Sequence, residues 1–480
     1  MTATILDKAY SNTTNFVESI PKTERKRYGQ FFTSRKSATF MASLCDANTK
    51  DAISILDAGA GTGLLTVALV EKMRTSGYDG IITVTCYETD EKVLSTLTAN
   101  MSALQEKYNI KFSIKTENFL LEEENKAGRY DIVIGNPPYL KISKDAPEAL
   151  AMPEVCYGAP NLYFLFWTKS IQQLQTNGEL VYIIPRSWTS GAYFEKFRTF
   201  LFSHCVITNI HIFESRDKVF DGETVLQETM IIKVRKTTVR PENVMMSASA
   251  TADFSDIRHY QVPYSTIVAP NNFVFLVTNE EESNVLTRIN RLPDTLATVD
   301  MKMHTGIIVD FRTQEVLRSE PEEETYPLLY SHHIRDGRVV WPDGRKDEYI
   351  KTGKTGYLQE NADYLIVKRF TSKEEKRRLQ CAIYLQSDYP QYKYISTQNK
   401  VNFIKCHRPE EAYGVYVLMN STLYDSYYRI LNGSTQVNST EINLMPVPPL
   451  ETICKMGKQL MGSNDLSERR CNNIIEQWII

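Results

Sequence analysis

The sequence predicts an α/β protein with a doubly wound, mostly parallel sheet in its first half and a second, mixed α+β domain at its C-terminal end. Three observations lead to this prediction. Apolar strands alternate with amphipathic helices as far as about residue 236, a glycine-rich segment joins the first strand to its helix, and the alternation then breaks down. With 480 residues, the chain is long enough for two domains with separate cores.

The elements of the first domain follow one another in a regular order. Apolar residues at helical spacing follow a basic opening segment, and a strand, a glycine turn and a helix then occupy residues 53–73. The final two strands are separated by only a short loop, which predicts an antiparallel pair at one edge of the sheet. The other predicted elements are strand 82–90, helix 91–108, strand 130–135, helix 161–174, strand 179–185, helix 192–202, and strands 206–213 and 228–236.

The domain boundaries follow from where this pattern stops. Residues 1–240 carry the alternating strands and helices, and residues 241–300 have no clear period and are interpreted as a connector. From residue 301 to residue 480, short strands, aromatic residues and basic residues predominate. We therefore expect a second domain over 301–480, with a composition suited to a different task from that of the first.

Composition excludes several classes of protein. The net charge is only −3, so any contact with nucleic acid must come from local basic patches. The eight cysteines contain no CxxC pair, which argues against a zinc knuckle or a disulfide framework and fits a reducing cytoplasm. No metal site, signal peptide or membrane span is predicted, and a cytoplasmic location is expected.

The segment DAGAGTG (57–63) lies where the first strand turns into the first helix. Glycines at such a turn let a ligand approach the backbone and leave the N–H groups of the helix free. A nicotinamide fingerprint would require a third glycine where Leu64 stands. Asp57 before the glycines and Glu88 at the end of the second strand supply carboxylates, and the latter suits a ribose diol. A turn that serves only packing remains the alternative.

The segment Asn136-Pro137-Pro138-Tyr139 follows an apolar strand at the expected ligand-binding edge of the sheet. Two prolines fix the backbone and remove two N–H donors. The Asn136 side-chain oxygen and the Pro137 carbonyl could then accept both hydrogens of one planar NH2 group, which would favour localisation of its nitrogen lone pair for attack on a methyl group. Tyr139 offers a face for stacking. A simple Pro-Pro turn at the end of a strand is the alternative.

Together these segments resemble the amino-group DNA methyltransferases, and most closely those that act on adenine N6 and carry a C-terminal target-recognition domain. The resemblance covers the whole chain and is strongest over residues 25–236. It implies a seven-stranded, Rossmann-like methyltransferase sheet in the first domain. The motifs that carry it, in this order, are GQFFTS (29–34), DAGAGTG (57–63), YETD (87–90) and NPPY (136–139).

The resemblance also implies S-adenosyl-L-methionine as the cofactor and assigns residues to it. Asn118 stands where the family usually has an aspartate that contacts the adenine of the cofactor, and an asparagine can donate or accept one hydrogen bond there. The implied cofactor residues are Gln30, Phe32 and Thr33 along the site, Asp57, Gly59, Gly61 and Gly63 at the methionine part, Glu88 at the ribose, and Asn118 with Phe119 at the adenine.

For the substrate, the resemblance implies an adenine that is rotated out of double-stranded DNA. Its amino group is paired and stacked inside the duplex, so the enzyme must offset a few kcal/mol of lost stacking. Stacking on aromatic side chains contributes about 1–3 kcal/mol per base. Tyr139 would form one wall of the pocket and Phe220 a second, although a lone Phe after a strand is also common in a core.

The C-terminal domain combines aromatic residues with clustered Arg and Lys. Such clusters suit contacts with DNA phosphates, although the glutamates within 373–378 also fit a solvated surface. The sequence read by this domain does not follow from these residues. The predicted DNA contacts are Arg335, Arg338, Lys368, Arg369, Lys373, Arg377 and Arg378.

Three functions remain open at this point. The first is a site-specific DNA adenine N6-methyltransferase that protects DNA from a cognate restriction endonuclease, a functional partner that need not bind it. The second is a methyltransferase for an RNA adenine or a protein glutamine, since NPPY can grip any planar amine or amide. The third is a non-catalytic DNA-binding homologue. GQFFTS and the long C-terminal domain favour the first, and a monomer with no membrane partner is expected.

Overall fold

The computed structural model describes residues 4–21, 31–46, 50–122, 128–214, 228–372, 374–432, 435–463 and 465–479. The chain divides into two compact units, Met1–Thr278 and Asn279–Ile480. Three residues with a predicted role, Gln30, Phe220 and Lys373, lie outside the described residues. Each unit is described by itself.

The first unit is built on one mixed sheet of nine strands. β1 lies in its interior and pairs in parallel with β2 on one side and with β4 on the other. The strands are β1 (Ala52–Ala58), β2 (Ile81–Tyr87), β3 (Lys111–Lys115), β4 (Tyr130–Gly135), β5 (Leu174–Pro185), β6 (Val206–Phe213), β7 (Thr229–Arg235), β8 (Asn243–Ser249) and β9 (Arg258–Pro263).

The strand order is β3-β2-β1-β4-β5-β7-β6-β8-β9. The chain adds β2 and β3 on one side of β1 and then adds β4 and the later strands on the other side. The strand order therefore reverses between β1 and β4, although these two strands are parallel. Ligands of open α/β sheets bind at the carboxyl ends of the strands at such a reversal. β7 is antiparallel to both β5 and β6, so the predicted antiparallel pair is present. Its predicted place at an edge is wrong, because β8 and β9 extend the sheet beyond β6.

Several helices of this unit begin at residues whose side chains accept from free backbone N–H groups. The Asp90 side chain accepts from Lys92 N at the start of α4, and Asn161 accepts from Tyr163 N at the start of α6. α3 instead begins directly after Gly63, without a side-chain cap. The helices are α1 (Ile5–Ser19), α2 (Arg35–Leu44), α3 (Leu64–Thr75), α4 (Glu91–Tyr108), α5 (Pro147–Leu150), α6 (Leu162–Gln173), α7 (Glu195–His204) and α8 (Tyr264–Ile267).

The sheet has nine strands where seven were predicted, because β8 and β9 come from the predicted connector 241–300. Ser247 and Ser249 gave β8 a polar appearance in the sequence. Both are buried and lie within hydrogen-bond distance of the buried His211 ring on β6, at 2.9 and 3.1 Å. The polar residues of this strand therefore point inward. The connector is divided between the two units at Thr278.

The second unit contains two sheets of short strands and one two-stranded pair. β10 (Asp294–Thr295) pairs with β22 (Pro446–Val447). One sheet has six strands in the order β11-β21-β18-β19-β15-β14, and the other has five in the order β12-β16-β13-β20-β17. Their bounds are β11 (Met303–Thr305), β12 (Leu317–Arg318), β13 (Thr325–Leu329), β14 (Ile334–Arg335), β15 (Arg338–Val339), β16 (Tyr349–Lys351), β17 (Gln359–Glu360), β18 (Asp363–Lys368), β19 (Cys381–Tyr384), β20 (Tyr394–Thr397) and β21 (Val401–Cys406).

Helices open and close the second unit. α9 (Glu280–Asn290) precedes the strands, and its N-cap Asn279 accepts from Glu282 N. The later helices are α10 (Pro409–Met419), α11 (Thr422–Leu431), α12 (Ser439–Asn443), α13 (Leu450–Met461) and α14 (Glu468–Trp478). Among the described residues of the whole chain, no helix combines the length and the hydropathy that a membrane crossing requires.

Candidate active site

A cavity of about 440 Å³ lies in the first unit, at the carboxyl ends of β1 and β4, where the strand order reverses. This volume falls within the range of roughly 300–1,000 Å³ that is typical of small-molecule sites. Its walls come from the carboxyl ends of β1, β2 and β4 and from helices α1 and α6. Among the lining residues are Thr13, Phe31, Phe32, Thr33, Gly59, Gly61, Thr62, Glu88, Asn118, Phe119, Asn136, Pro138, Glu148 and Phe166.

The glycine turn forms the floor of the cavity next to β1. Gly59, Gly61 and Gly63 have φ angles of 74°, 53° and 77°, a region that side chains rarely adopt. A Cβ on Gly63 would lie 2.8 Å from the Leu97 side chain, so this position also excludes any larger residue. The turn keeps its open shape because glycine alone fits this backbone.

Asp57 is buried at the end of β1, beneath the turn. Thr66 Oγ1 donates to Asp57 Oδ2 at 2.8 Å. Its other oxygen, Oδ1, is buried and has no hydrogen-bond donor among the described residues. Burial, with a smaller contribution from the nearby Glu88 carboxylate, raises the pKa of Asp57 to about 7. A buried acceptor without a donor is the feature expected where a ligand supplies the missing hydrogen.

Glu88 follows β2 and faces the same cavity. Its Oε2 accepts from Gly61 N and its Oε1 from Asp90 N, both at 2.8 Å. Burial raises the pKa of this carboxyl, while the two backbone donors act in the opposite direction. The carboxylate is therefore fixed against the glycine turn, and its remaining lone pairs are available to hydroxyl groups of a ligand.

Asn136 begins the Pro-Pro corner after β4, and its orientation is set by the segment before α2. Asn136 Nδ2 donates to Phe31 O at 2.6 Å and lies 3.2 Å from Thr33 Oγ1. A carbonyl can only accept, so the atom that faces Phe31 O must be the nitrogen. Oδ1 therefore points away from this contact, and none of the described residues donates to it. Asn136 and Pro138 both line the cavity.

Tyr139 lies deeper than its predicted stacking role suggests. Its hydroxyl donates to Ile183 O at 2.9 Å, and burial raises the pKa of the phenol well above its ordinary value. Its ring centroid is 5.6 Å from that of Phe31 and 6.4 Å from that of Tyr163. The residue is only 8% exposed, with the Phe31 ring tilted against its own and the Tyr163 ring nearly perpendicular to it.

Asn118 and Phe119 form the wall of the cavity beyond β3. Asn118 Oδ1 accepts from Leu120 N at 3.0 Å, and Asn118 Nδ2 donates to Glu148 Oε1 at 2.8 Å. The buried Phe119 ring packs 5.6 Å from Phe166. An amide donor and a carboxylate acceptor therefore lie side by side at this end of the cavity.

The structure brings most of the predicted cofactor residues to one cavity. Phe32, Thr33, Gly59, Gly61, Glu88, Asn118, Phe119 and Asn136 line it, and Asp57 lies just beneath. The sequence analysis did not select Thr13, Phe31, Glu148 or Phe166. Phe166 belongs to a helix with apolar residues around its whole circumference, so its sequence signal could not be separated from that of a core residue.

Of the seven predicted DNA contacts, Arg378 is wrong because the structure buries it inside the second unit, and most of the Arg377 side chain is covered there. Arg378 has no exposed surface, and its guanidinium lies 5.6 Å from the Tyr428 ring centroid. Arg377 donates to the carbonyls of Met419 and Ser421, both at 3.1 Å, and only 13% of its side chain is exposed. Neither guanidinium has a free face for a phosphate.

The other described candidates remain nearer the surface. Arg335 is exposed and pairs with Asp343. Arg345, which the sequence analysis did not select, also pairs with Asp343, at 3.1 Å, and is 58% exposed. The remaining candidates lie half-buried and have internal partners: Arg338 over the Tyr413 ring, Lys368 near Gln380 and Glu375, and Arg369 on Asn399 O.

A cluster of His332, His333 and Glu348 in the second unit has the residue types of a metal site. Burial lowers the pKa of His333 to about 4, so its ring is neutral near pH 7. Its Nδ1 accepts from Tyr330 N, so the single ring hydrogen lies on Nε2, which donates to Glu348 at 2.6 Å. Glu348 also accepts from the backbone of Asp343. The cluster therefore acts as a support for this loop.

The fold and the cavity together define a methyltransferase-like α/β protein, and comparisons with known proteins narrow this class. Residues 64–220 match the family described as "Eco57I restriction-modification methylase". The chain is 32% identical to the type II methyltransferase M.PstI of Providencia stuartii, over 96% of this chain and 94% of the relative. It is 34% identical to M.BsuBI of Bacillus subtilis, over 90% of each. The chain therefore belongs to the type II methyltransferases of restriction–modification systems.

A solved structure supports the fold. The type IIL restriction–modification enzyme MmeI in complex with DNA aligns over 98% of this chain and 73% of its own, with a TM-score of 0.50 and 12% sequence identity. At this identity the likeness concerns the arrangement of the elements alone.

Proposed function

We propose that this protein transfers a methyl group from S-adenosyl-L-methionine to N6 of an adenine in double-stranded DNA, and that it thereby protects a recognition site from a cognate restriction endonuclease. The observation that carries the proposal is a pair of acceptor oxygens to which none of the described residues donates: Asp57 Oδ1, buried beneath the glycine turn, and Asn136 Oδ1, at the Pro-Pro corner that lines the cavity. One suits a cofactor, and the other suits a substrate amine.

The residues of the cavity fit this cofactor. Asp57 offers a carboxylate oxygen to an ammonium group, the glycine turn admits the methionine part, and Glu88 offers lone pairs to ribose hydroxyls. When bound, the cofactor supplies a methyl group on a sulfonium, which is already activated for transfer. No metal ion is required for this chemistry, and the task of the protein is orientation and electrostatics.

Asn136 prepares the nucleophile. Its Oδ1 and the Pro137 carbonyl accept the two hydrogens of the amine, which favours localisation of the nitrogen lone pair toward the methyl group. The bond from Asn136 Nδ2 to Phe31 O holds the side chain in the orientation that this task requires. Pre-set acceptors cost no reorganisation when charge develops on the nitrogen.

The adenine must leave the duplex to reach this corner. We assign one stacking wall to Tyr139, with Phe220 as the second. The Tyr139 ring is anchored by its hydroxyl on Ile183 O, so it offers a fixed platform. Since Phe31 lies against this ring, binding of the base on that face requires a shift of the Phe31 side chain.

The contact with the adenine of the cofactor is shared between two residues in our proposal. Asn118 has its Oδ1 occupied by Leu120 N, so it can offer the second hydrogen of Nδ2 to a ring nitrogen. Glu148 supplies the carboxylate that accepts from the exocyclic amine. The hydrogen bond between Asn118 and Glu148 places the donor and the acceptor next to each other.

The second unit is assigned to target recognition. Arg335 and Arg345 flank Asp343, and the loop that carries Arg345 is held by backbone hydrogen bonds to the buried Glu348. Two exposed cations, one on β14 and one on this ordered loop, suit contacts with DNA phosphates, which position the protein without reading sequence. Arg338, Lys368 and Arg369 remain further candidates.

Methylation of an RNA adenine or of a protein glutamine is the alternative that the corner alone leaves open. It is disfavoured because the match to type II methyltransferases includes the second unit, covering 96% of this chain in one relative. A non-catalytic homologue is disfavoured by the open acceptors on Asp57 and Asn136.

The test is to incubate the purified protein with unmethylated duplex DNA and S-adenosyl-L-methionine carrying a labelled methyl group. Mass spectrometry of the digested nucleosides should show N6-methyladenine, and long-read sequencing should place it within one sequence motif. Label on cytosine alone, or label on RNA or protein with none on DNA, would refute the proposal. The same reaction with heat-denatured protein sets the background.

A further inference from the structure

α1 lies before the segment that matches the methylase family, and the proposed function gives it no role. The helix packs against α3 and α4. Glu71 of α3 accepts from the backbone N–H groups of Ile5 and Leu6, at 3.2 and 3.4 Å, and so fixes the first turn of α1. The buried face of α1 then extends from Ile5 to Phe16 and ends beside the cavity.

Thr13 joins α1 directly to the glycine turn. Its Oγ1 lies 2.7 Å from Thr62 Oγ1, and both residues are buried and line the cavity. Thr13 Oγ1 also donates to Ala9 O at 2.8 Å. Because a hydroxyl has one hydrogen, Thr62 is the donor in the pair, and its side chain is held in one orientation.

Two further contacts lead from α1 to the same turn. Asn12 Nδ2 donates to Asn100 Oδ1 at 2.8 Å, and Asn100 Nδ2 donates to the backbone carbonyl of Thr62 at 2.9 Å. Thr62 is therefore held through both its side chain and its backbone. This matters because neighbouring glycines give the turn little stiffness of its own.

Phe16 completes the link on the other wall. Its ring meets the Phe32 ring edge to face, with centroids 5.7 Å apart. A Cβ built on Gly61 would lie 3.4 Å from Phe32 Cε1, so the Phe32 ring stands directly against the turn. α1 thus contacts the glycine turn from one side and supports Phe32 on the other.

We propose that α1 is part of the cofactor site, with Thr13, Asn12 and Phe16 as positioning residues that hold the glycine turn and Phe32 in the geometry that binds S-adenosyl-L-methionine. The inference rests on the proposed function, since it concerns the same cavity. Pre-ordering of a flexible turn lowers the entropy that is lost on binding, so loss of these contacts weakens affinity without a change in the chemical step.

The test compares Thr13→Val with Thr14→Val. Thr14 lies on the same helix and its hydroxyl donates to Tyr10 O at 3.0 Å, so both substitutions remove a hydroxyl bonded to the helix backbone. Thr14 does not line the cavity. In calorimetric titrations with S-adenosyl-L-homocysteine, Thr13→Val should raise Kd roughly fivefold to tenfold, the size of one net hydrogen bond. Thr14→Val should leave Kd unchanged, and Thr13→Ser should restore it.

Two further readouts separate positioning from general stability. Thr13→Val should raise KM for the cofactor and leave kcat at saturating cofactor within about twofold. Hydrogen exchange at the amides of 59–63 in the ligand-free protein should be faster in Thr13→Val than in Thr14→Val. Should Thr13→Val fail to fold, Asn12→Ala against Asn15→Ala gives a milder pair, since both residues are exposed.

Each outcome bears on one of the two claims. Equal Kd values for the wild type, Thr13→Val and Thr14→Val would overturn the role of α1 and leave the proposed function intact. A fall in kcat with unchanged Kd would also overturn it. A wild-type protein that binds neither S-adenosyl-L-homocysteine nor S-adenosyl-L-methionine would overturn the proposed function, and the role of α1 with it.

Discussion

Asp57 beneath the cavity of the first unit and Arg378 in the arginine-rich segment of the second unit are both buried charged residues, but their surroundings differ. In the cavity, Asp57 Oδ1 is buried without a donor among the described residues. In the second unit, the backbone N–H and the guanidinium Nε of Arg378 are bonded to Asp425 and Thr371. Asp57 lies beneath an open cavity, whereas Arg378 is enclosed by groups of the protein that bond its backbone N–H and its Nε and pack against its guanidinium.

The largest expected effect is at the Pro-Pro corner. Asn136→Ala removes one of the two proposed acceptors and should lower kcat by roughly two to three orders of magnitude, the cost typical of losing one polar group that stabilises developing charge. Single-turnover methylation assays measure this loss. Calorimetry should show near-normal binding of S-adenosyl-L-homocysteine, because other segments hold the cofactor.

Near-normal turnover by Asn136→Ala would show that this residue has no role in methyl transfer. The Pro-Pro corner would then not differ from the structural residues of the second unit. A useful companion is Asn161→Ala, which removes the N-cap of α6 but no proposed acceptor. It should lower stability by about 1 kcal/mol and leave the chemical step intact.

The second prediction concerns the second unit and compares a buried arginine with an exposed one. Arg378→Met should lower the free energy of unfolding by about 1–2 kcal/mol, because it removes the hydrogen bond from Nε to Thr371 and the packing of the guanidinium on the Tyr428 ring. The salt dependence of DNA binding should not change. Arg335→Gln should do the reverse, with unchanged stability and a salt slope smaller by about one.

Thermal unfolding and fluorescence titrations with duplex DNA at several salt concentrations measure both variants. A reduced salt slope in folded Arg378→Met would return that arginine to the DNA interface, in conflict with its burial. An unchanged slope in Arg335→Gln would move the interface away from the loop around Asp343.

The same two regions explain how much the sequence could predict. The positions of the glycine turn and NPPY at the ends of β1 and β4 could be predicted because their backbone geometry depends on residue type: Gly63 admits no side chain, and prolines fix the corner. Arg378 was misassigned because a cluster of charged residues in the sequence does not show which of their side chains point into the protein. Only the three-dimensional structure shows that α11 supplies Asp425 and Tyr428 beside Arg378.

Two other differences have similar causes. β8 was missed because its inward serines bond to His211, a partner from β6 that periodicity cannot supply. Thr13 was missed because its function depends on Thr62, 49 positions along the chain. In both cases a polar side chain is buried because a residue far along the chain bonds to it. Local sequence patterns do not contain that partner, so they predict such pairs poorly.

The third prediction concerns pH. Burial raises the pKa of Asp57 to about 7, so below pH 7 its carboxyl is neutral and cannot pair with an ammonium group. Affinity for S-adenosyl-L-homocysteine should therefore fall by up to about tenfold per unit as pH drops below 7. Asp57→Asn should bind more weakly at pH 8 and lose this dependence, so the ratio of the two Kd values isolates Asp57 from titration of the ligand.

The raised pKa of Asp57 has the opposite effect on the stability of the ligand-free protein, which it increases at low pH. A folded-state pKa above the ordinary value near 3.8 means that the folded state holds more protons than the unfolded state between about pH 4 and 7. Stability contributed by protonated Asp57 is thus present at low pH and lost as pH rises through 7. Asp57→Asn should gain stability relative to the wild type over this window, which chemical unfolding at pH 5 and pH 8 can measure.

The smallest expected effect lies at the adenine end of the cavity, where Asn118 donates to Glu148. Glu148→Gln keeps the shape but replaces the carboxylate by an amide, and should weaken S-adenosyl-L-homocysteine binding about fivefold, less than the loss of a fully buried partner because Glu148 is partly exposed. S-inosyl-L-homocysteine, whose C6 carbonyl oxygen accepts a hydrogen bond where the C6 amino group of adenine donates one, gives the sharper comparison. The wild type should bind the inosyl compound more weakly than the adenosyl compound, and Glu148→Gln should narrow this preference, since its amide can rotate to donate. Glu154→Gln in the same loop serves as the control. If the preference persists unchanged in Glu148→Gln, Glu148 does not accept from the adenine of the cofactor. The acceptors for the ligands are then Asp57, Glu88 and Asn136, and Asn118 alone contacts the adenine.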